Sequence, residues 1–187
     1  LTLGGAPELA ERPYGPTGLL DMYGVTVECS PTADTTAEAL LANRERGGEY
    51  GATTGRPRRC GWFDAVAVRY AVRVNGFDTI ALTKLDVLDE RETIPVCTGY
   101  RFEGETLDEM PADTRVLEGC EPVYEMVPGW KTATAGVRDW ALLPENARRY
   151  VERLAELVGT EIGLVSTGPD RAQTLVRAKS APASWFE

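Results

Sequence analysis

Twice in this chain an amphipathic helix runs directly into a short apolar strand, and that order constrains the fold more than any other feature. In the first instance Trp62, Phe63, Val66, Ala67, Tyr70, Ala71 and Val74 recur at helical spacing over residues 61–74, and Asn75-Gly76 ends the run. Residues 78–83 (DTIALT) then read as a buried strand. In the second, Pro144 opens a helix whose stripe is Ala147, Tyr150, Val151, Leu154, Leu157 and Val158. Gly159 stops it, and Glu161 to Val165 reads as the following strand. Helix then strand, repeated, implies an α/β fold with a largely parallel sheet and flanking helices.

The remaining segments are less patterned. Ile94 to Phe102 alternates in part and reads as a strand before Gly104, whereas 103–140 reads as mostly loop with one strand. Tyr23 to Cys29 suits a short strand, and Thr36 to Arg46 a helix leading into Gly47-Gly48. The tail from Ala178 reads as poorly ordered. At 187 residues the chain is long enough for one domain with a real core.

Composition excludes several function classes. The net charge of −9 disfavours non-specific binding to nucleic acid or anionic membranes. Against that acidic background Arg56, Arg58 and Arg59 focus positive charge locally, which suits a small anionic ligand. Histidine is absent, and Cys29, Cys60, Cys97 and Cys120 lie far apart, so no zinc-type spacing exists. Scattered thiols point to a reducing cytoplasm. No run approaches the ~20 apolar residues of a membrane span, and no charged segment with an apolar core opens the chain as a secretory leader would.

Three short runs carry the chemistry. Gly51 to Arg59 (GATTGRPRR) gathers hydroxyls, backbone N–H groups and guanidiniums. Such a loop can wrap a carboxylate or phosphate, with Arg56 and Arg58 as bidentate forks and Pro57 limiting its freedom. Its place before the 61–74 helix adds the partial positive charge of a helix N-terminus. The alternative is a solvated basic turn. Thr83-Lys84-Leu85-Asp86 follows the first strand. A carboxylate there can accept from N1–H and N2–H of guanine, a donor pair adenine lacks, and discrimination of this kind reaches ~10⁴-fold. The Lys84 stem can lie over the purine face. Ser166-Thr167-Gly168, before Pro169-Asp170, follows the second strand, and its N–H groups can donate to a purine carbonyl, with Gly168 allowing close approach. For both strand-end runs the alternative is an ordinary turn with solvated polar groups. Open α/β sheets bind nucleotides at strand ends, so together the runs indicate a purine-nucleotide enzyme. A phosphate-cradling Gly-rich loop is absent. The other candidates read as structural: Asp64 and Asp108-Glu109 as solvated or capping groups, Trp62, Trp130, Trp140 and Trp185 as packing, and Arg148, Arg149 and Arg153 as a solvated helix face.

From Arg44 onward the chain resembles the adenylosuccinate synthetase family. The matching stretches are 44–72 (RERGGEYGATTGRPRRCGWFDAVAVRYAV), 81–89 (ALTKLDVLD), 121–130 (EPVYEMVPGW), 143–159 (LPENARRYVERLAELVG) and 165–171 (VSTGPDR), in the family's order and spacing. The resemblance implies a P-loop NTPase-like α/β fold in a ligase that joins IMP and L-aspartate at the expense of GTP, in the purine route to AMP. It implies Mg²⁺, a cytoplasmic homodimer, small-molecule partners, and neither nucleic acid nor membrane as a partner. It makes Ala52, Thr53, Thr54, Gly55, Arg56, Pro57 and Arg58 the aspartate/IMP loop, with Arg56 also on IMP and Arg58 near GTP. Lys84, Leu85 and Asp86, together with Ser166, Thr167 and Gly168, become the GTP-binding set. The family's opening G-D-E-G-K-G-K run and its catalytic histidine have no counterpart here, nor does its G-P-F-P-T-E stretch in residues 1–43. The expectation is therefore a divergent or poorly ordered lead segment, 1–43, before a C-terminal part of the synthetase domain, 44–187. That part holds no catalytic residue, its Mg²⁺ ligands lie elsewhere, and alone it is inactive. The alternative is a non-catalytic guanine-nucleotide-binding module of the same descent.

Overall fold

The computed structural model describes residues 19–21, 24–26 and 37–185, with side chains from 38 to 184. β1 (Leu19–Asp21) and β2 (Gly24–Thr26) form an antiparallel pair. The rest of the lead segment, with Cys29 and most of the strand expected at Tyr23–Cys29, lies outside the described residues. α1 (Ala37–Gly47) matches the expected helix.

β3 (Phe63–Asp64) precedes α2 (Ala65–Asn75), so this helix starts later than its apolar spacing indicated. Phe63 and Asp64 are spent on parallel pairing with Val96 and Cys97. The Asp64 carboxylate then caps the helix, Oδ1 accepting from the Ala67 N–H at 3.0 Å. Val66 and Ala67 of the expected stripe are buried, whereas Tyr70 and Val74 are exposed. Gly76, at φ +66°, closes α2 with its N–H on the Val72 carbonyl. β4 (Thr79–Leu82) follows.

Next comes a 3-10 turn, Leu85–Leu88, and then β5 (Thr93–Phe102), as expected. The stretch read as mostly loop holds more structure: β6 (Glu105–Leu107), a short helix α3 (Thr114–Glu118) and β7 (Glu121–Pro128). The one strand expected there is in fact two, and β7 is weakly marked because Pro122, Glu125 and Pro128 interrupt its alternation. It is held by antiparallel pairing along β5, from Thr93↔Pro128 to Arg101↔Glu121. Around β5, β3 is parallel and β6 and β7 antiparallel.

α4 (Glu145–Val158) begins immediately after Pro144 and ends at Gly159, as its sequence signals indicate. β8 (Glu161–Ser166) then pairs parallel with β4, and β9 (Thr174–Val176) adds antiparallel to β8. The two helix-then-strand units thus supply the parallel pair that their order implied, and the fold is α/β. α4 packs on α2 and β8. Its Ala147, Val151 and Leu154 are fully buried with Ile162 and Val165. Burial of a side chain the size of Leu154 contributes about 1.5–3 kcal/mol. The tail is more ordered than expected, with a 3-10 turn at Ala181–Trp185 and buried Ser180 donating to the Arg177 carbonyl at 2.6 Å.

Two polar anchors tie the layers together. Asp89 accepts from Trp130 Nε1, the Thr134 N–H and Thr134 Oγ1, each at 2.7 Å. Gly129 then passes so close to the Arg91 carbonyl that a Cβ would sit 2.0 Å from its oxygen. Asp64 is buried rather than solvated, and its second oxygen accepts from the Tyr100 hydroxyl at 2.5 Å. Arg153, read as part of a solvated face, instead grips Glu125 through Nε at 2.9 Å and Nη2 at 2.8 Å. Among the described residues no helix is long and apolar enough to cross a membrane.

Candidate functional site at the carboxyl ends of β4 and β8

Because β4 and β8 are parallel, with Ala81↔Leu164 and Leu82↔Val165 in register, both chains leave the sheet at the same end. Lys84-Leu85-Asp86 and Ser166-Thr167-Gly168 therefore emerge side by side. Leu85 is buried and anchors its segment in the core. Lys84 sits at φ +62°, a left-handed conformation uncommon for a side chain of this size, and it reverses the backbone out of the strand. Asp86 is half-buried, and its Oδ1 is buried with no hydrogen-bond partner among the described residues. That burial pushes the Asp86 carboxyl above its ordinary value, and the nearby charge of Asp89 adds to the effect.

The second segment is arranged differently from the sequence expectation. Thr167 is fully buried. Its N–H donates to the Gln173 carbonyl at 2.9 Å, and its hydroxyl lies 2.9 Å from the Val137 carbonyl and 3.1 Å from that of Gln173. The Thr167 N–H is thus spent inside the protein. Ser166 Oγ donates to the Gly168 carbonyl at 2.7 Å. The close approach that Gly168 permits is made by this chain's own Gln173, whose Oε1 would lie 2.3 Å from a Cβ at 168.

The loop from Ala52 to Arg59 is exposed. Its shape comes from internal bonds: Gly51 N–H to the Arg56 carbonyl and Gly55 N–H to the Gly51 carbonyl, both 2.8 Å, and Arg56 N–H to Thr54 Oγ1 at 3.3 Å. Tyr50 and Pro57 bridge its base, and Gly55 takes φ +64°. Thr53 and Gly55 therefore stand at the tip, with Arg56 and Arg58 on the returning strand. The N-terminus of α2 does not serve this loop, contrary to expectation. Residues 60–64 intervene, and the Asp64 carboxylate already occupies it.

One residue joins the loop to the strand ends, and it carried no signal in the sequence. Glu49 accepts from Arg58 Nη1 at 3.0 Å through Oε2, and its Oε1 pairs with the Lys84 ammonium. Lys84 also donates to the Gly47 carbonyl at 2.6 Å. Burial pushes the Glu49 carboxyl up, but the hydrogen bonds and charges of Lys84 and Arg58 outweigh it and hold the group below the ordinary carboxylate value. Only the fold brings Glu49 to Lys84; no local spacing relates them.

Cys60 and Cys120 are free thiols, and Cys97 and Cys120 are buried. Among the described residues no three His, Cys, Asp or Glu side chains gather as a metal-holding group. The described side chains therefore offer no grouped donor set for Mg²⁺.

Fold and site together define an open α/β protein whose polar side chains collect at the carboxyl ends of a parallel strand pair, where such sheets take ligands. Comparison with known proteins narrows this. The family described as adenylosuccinate synthetase matches residues 23–175. An adenylosuccinate synthetase from Trichlorobacter lovleyi is 62% identical over 143 residues, which are 76% of this chain and 33% of the relative. One from Coxiella burnetii is 48% identical over 161 residues, 86% of this chain and 37% of the relative. The solved structure of fully ligated adenylosuccinate synthetase from Plasmodium falciparum superposes with a TM-score of 0.73 at 37% identity, over 81% of this chain and 37% of that one. The chain belongs to the adenylosuccinate synthetase family, and it spans about a third of the length of these relatives.

Proposed function

We propose that this chain supplies the guanine-reading and aspartate/IMP-binding surfaces of an adenylosuccinate synthetase, the ligase that forms adenylosuccinate from IMP and L-aspartate with GTP. The observation that carries the reading is Asp86: a buried carboxylate oxygen without a partner among the described residues, beside Ser166–Gly168 at the end of a parallel strand pair. An unpaired buried acceptor is costly, by about 1–3 kcal/mol, unless something else supplies the donor. N1–H and N2–H of guanine are donors of the required kind. The Lys84 stem lies over the purine face in this reading. With the Thr167 N–H engaged by Gln173, we assign the donor for the purine carbonyl to Gly168.

The loop Ala52–Arg58 takes the other two substrates. Thr53, Thr54 and Gly55 surround the aspartate carboxylates, Arg56 reaches both aspartate and IMP, and Arg58 faces the GTP phosphates. GTP is a co-substrate. Mg²⁺, which neutralises charge on the phosphates when bound, takes its ligands from a part of the enzyme that this chain does not supply. The same holds for the acid–base groups, so the chain alone does not turn over. Cytoplasmic location and a homodimeric whole enzyme complete the proposal.

Titration of the protein with GTP and with xanthosine triphosphate, before and after Asp86→Asn, tests base reading. The amide weakens GTP by about tenfold or more and improves the xanthine nucleotide, because it can donate to O2. Equal binding of both nucleotides by both proteins would remove the guanine assignment. Turnover of GTP, IMP and aspartate by purified 1–187 would remove the claim of inactivity.

A further inference from the structure

Glu49 has no part in the roles assigned above, yet its backbone sets the base of the loop. Its carbonyl accepts from the Arg58 N–H at 2.9 Å, and its own N–H donates to the Arg44 carbonyl at 3.0 Å. The side chain therefore starts from a fixed point. Its two oxygens then divide between two cations from different segments, Lys84 after β4 and Arg58 at the end of the loop. Glu49 is less exposed than either partner, 23% against 44% for Lys84 and 47% for Arg58. A partly desolvated carboxylate acts more strongly on its neighbours than a solvated one. The Lys84 ammonium is also held by the Gly47 carbonyl, and only Arg58 is assigned above to an anionic ligand, so the pair that such a ligand contests is the one with Arg58.

We propose that Glu49 is an internal anion that occupies the Arg58 guanidinium until a ligand phosphate displaces it, which makes it a positioning residue for this site. The proposal rests on the assignment of Arg58 to an anionic ligand made above. In the absence of ligand, Glu49 keeps the guanidinium aimed into the space between the loop and the strand ends. It also competes with any phosphate for the same N–H groups, and it repels that phosphate. Neutralising Glu49 therefore strengthens polyphosphate binding, although it removes a native ion pair.

The test is calorimetric titration of the full chain with pyrophosphate, comparing the wild type with Glu49→Gln. The amide keeps the size of the side chain and removes the charge. The expected result is about three- to tenfold tighter binding in the variant at low salt, with the gain shrinking as ionic strength rises. In an Arg58→Gln background the same change at Glu49 shifts the affinity less than about twofold, because the competition has lost its object. A Glu49 that only braced the loop would give weaker binding on neutralisation. Unchanged or weaker pyrophosphate binding, no measurable binding by either protein, or an equal gain without Arg58 would each overturn the proposal. Guanosine, titrated separately, reports on base reading alone. Its failure to bind the wild type would overturn the guanine assignment and leave the pyrophosphate comparison intact.

Discussion

Asp86 and Asp89 are separated by a single 3-10 turn, yet their surroundings are opposite. Asp89 receives three donors from the Trp130–Thr134 segment, and Thr134 is fully buried. Asp86 holds one oxygen out of solvent with no hydrogen-bond partner for it among the described residues. Buried acceptors are normally satisfied by the fold. The satisfied carboxylate holds two segments together, whereas the unsatisfied one is, in the proposed reading, left for a ligand to complete.

The contrast can be broken most directly at Asp89. Asp89→Ala strands the indole N–H, the Thr134 N–H and the Thr134 hydroxyl together, and should lower the unfolding free energy by about 3–4 kcal/mol. Urea denaturation measures it, and a loss below about 1 kcal/mol would mean that Asp89 and Asp86 are not different in kind. Asp64→Ala should follow, at about 2–3 kcal/mol, since it removes the α2 cap and takes the carboxylate acceptor away from the Tyr100 hydroxyl.

Asp86→Asn should behave in the opposite way, leaving stability at neutral pH slightly raised. Its pH dependence sharpens the contrast. Burial raises the folded-state pKa of Asp86 above 3.8, so the folded protein binds the proton more tightly than the unfolded chain. The native carboxylate is then harmless below pH 3.8, and it becomes a burden as pH rises through its folded value. The stability gap between Asp86→Asn and wild type should open over that interval and stay open at neutral pH. Denaturation midpoints across pH 3 to 7 would show it, and a gap of the opposite sign would mean that Asp86 is already satisfied. The smallest effect belongs to Glu49, whose folded pKa lies below 4.5. Its pairs stabilise at neutral pH, by about 0.2–1 kcal/mol for exposed ion pairs, and that contribution disappears as pH falls below 4.5 through the folded value. A Glu49→Gln protein should lack this acid-dependent component.

Much of the fold was legible because α4 and β8, and α2 and β4, carry strong local patterns with glycine stops at Gly76 and Gly159. β7 was legible only as one unplaced strand within 103–140, because its stability comes from β5 and not from its own alternation. The start of α2 was misplaced because Trp62 and Phe63 fit a helical stripe equally well, and only the Val96 and Cys97 partners reveal Phe63–Asp64 as a strand. At the site, the spacing of Lys84–Asp86 and Ser166–Gly168 after their strands announced the shared edge. Glu49 and Asp89 were illegible, since each acts on residues brought near only by folding, Lys84 in one case and Trp130 and Thr134 in the other. Gln173 was missed for the same reason, and with it the true use of the Thr167 N–H.

The register of β4 with β8 has a consequence for synthesis. Thr79 pairs with Glu161, so the two halves of the strand-end site are made at very different times on the ribosome. Lys84 and Asp86 emerge while α4 and β8 are still untranslated, and closing so long a loop belongs to the slow, non-local part of folding. A nascent chain that stops short of Ser166 has no Ser166–Gly168 edge to set beside Asp86. On the proposed guanine assignment, the nucleotide favours the finished domain and does not rescue its early fragments. Any chaperone assistance must cover the interval between the two strands.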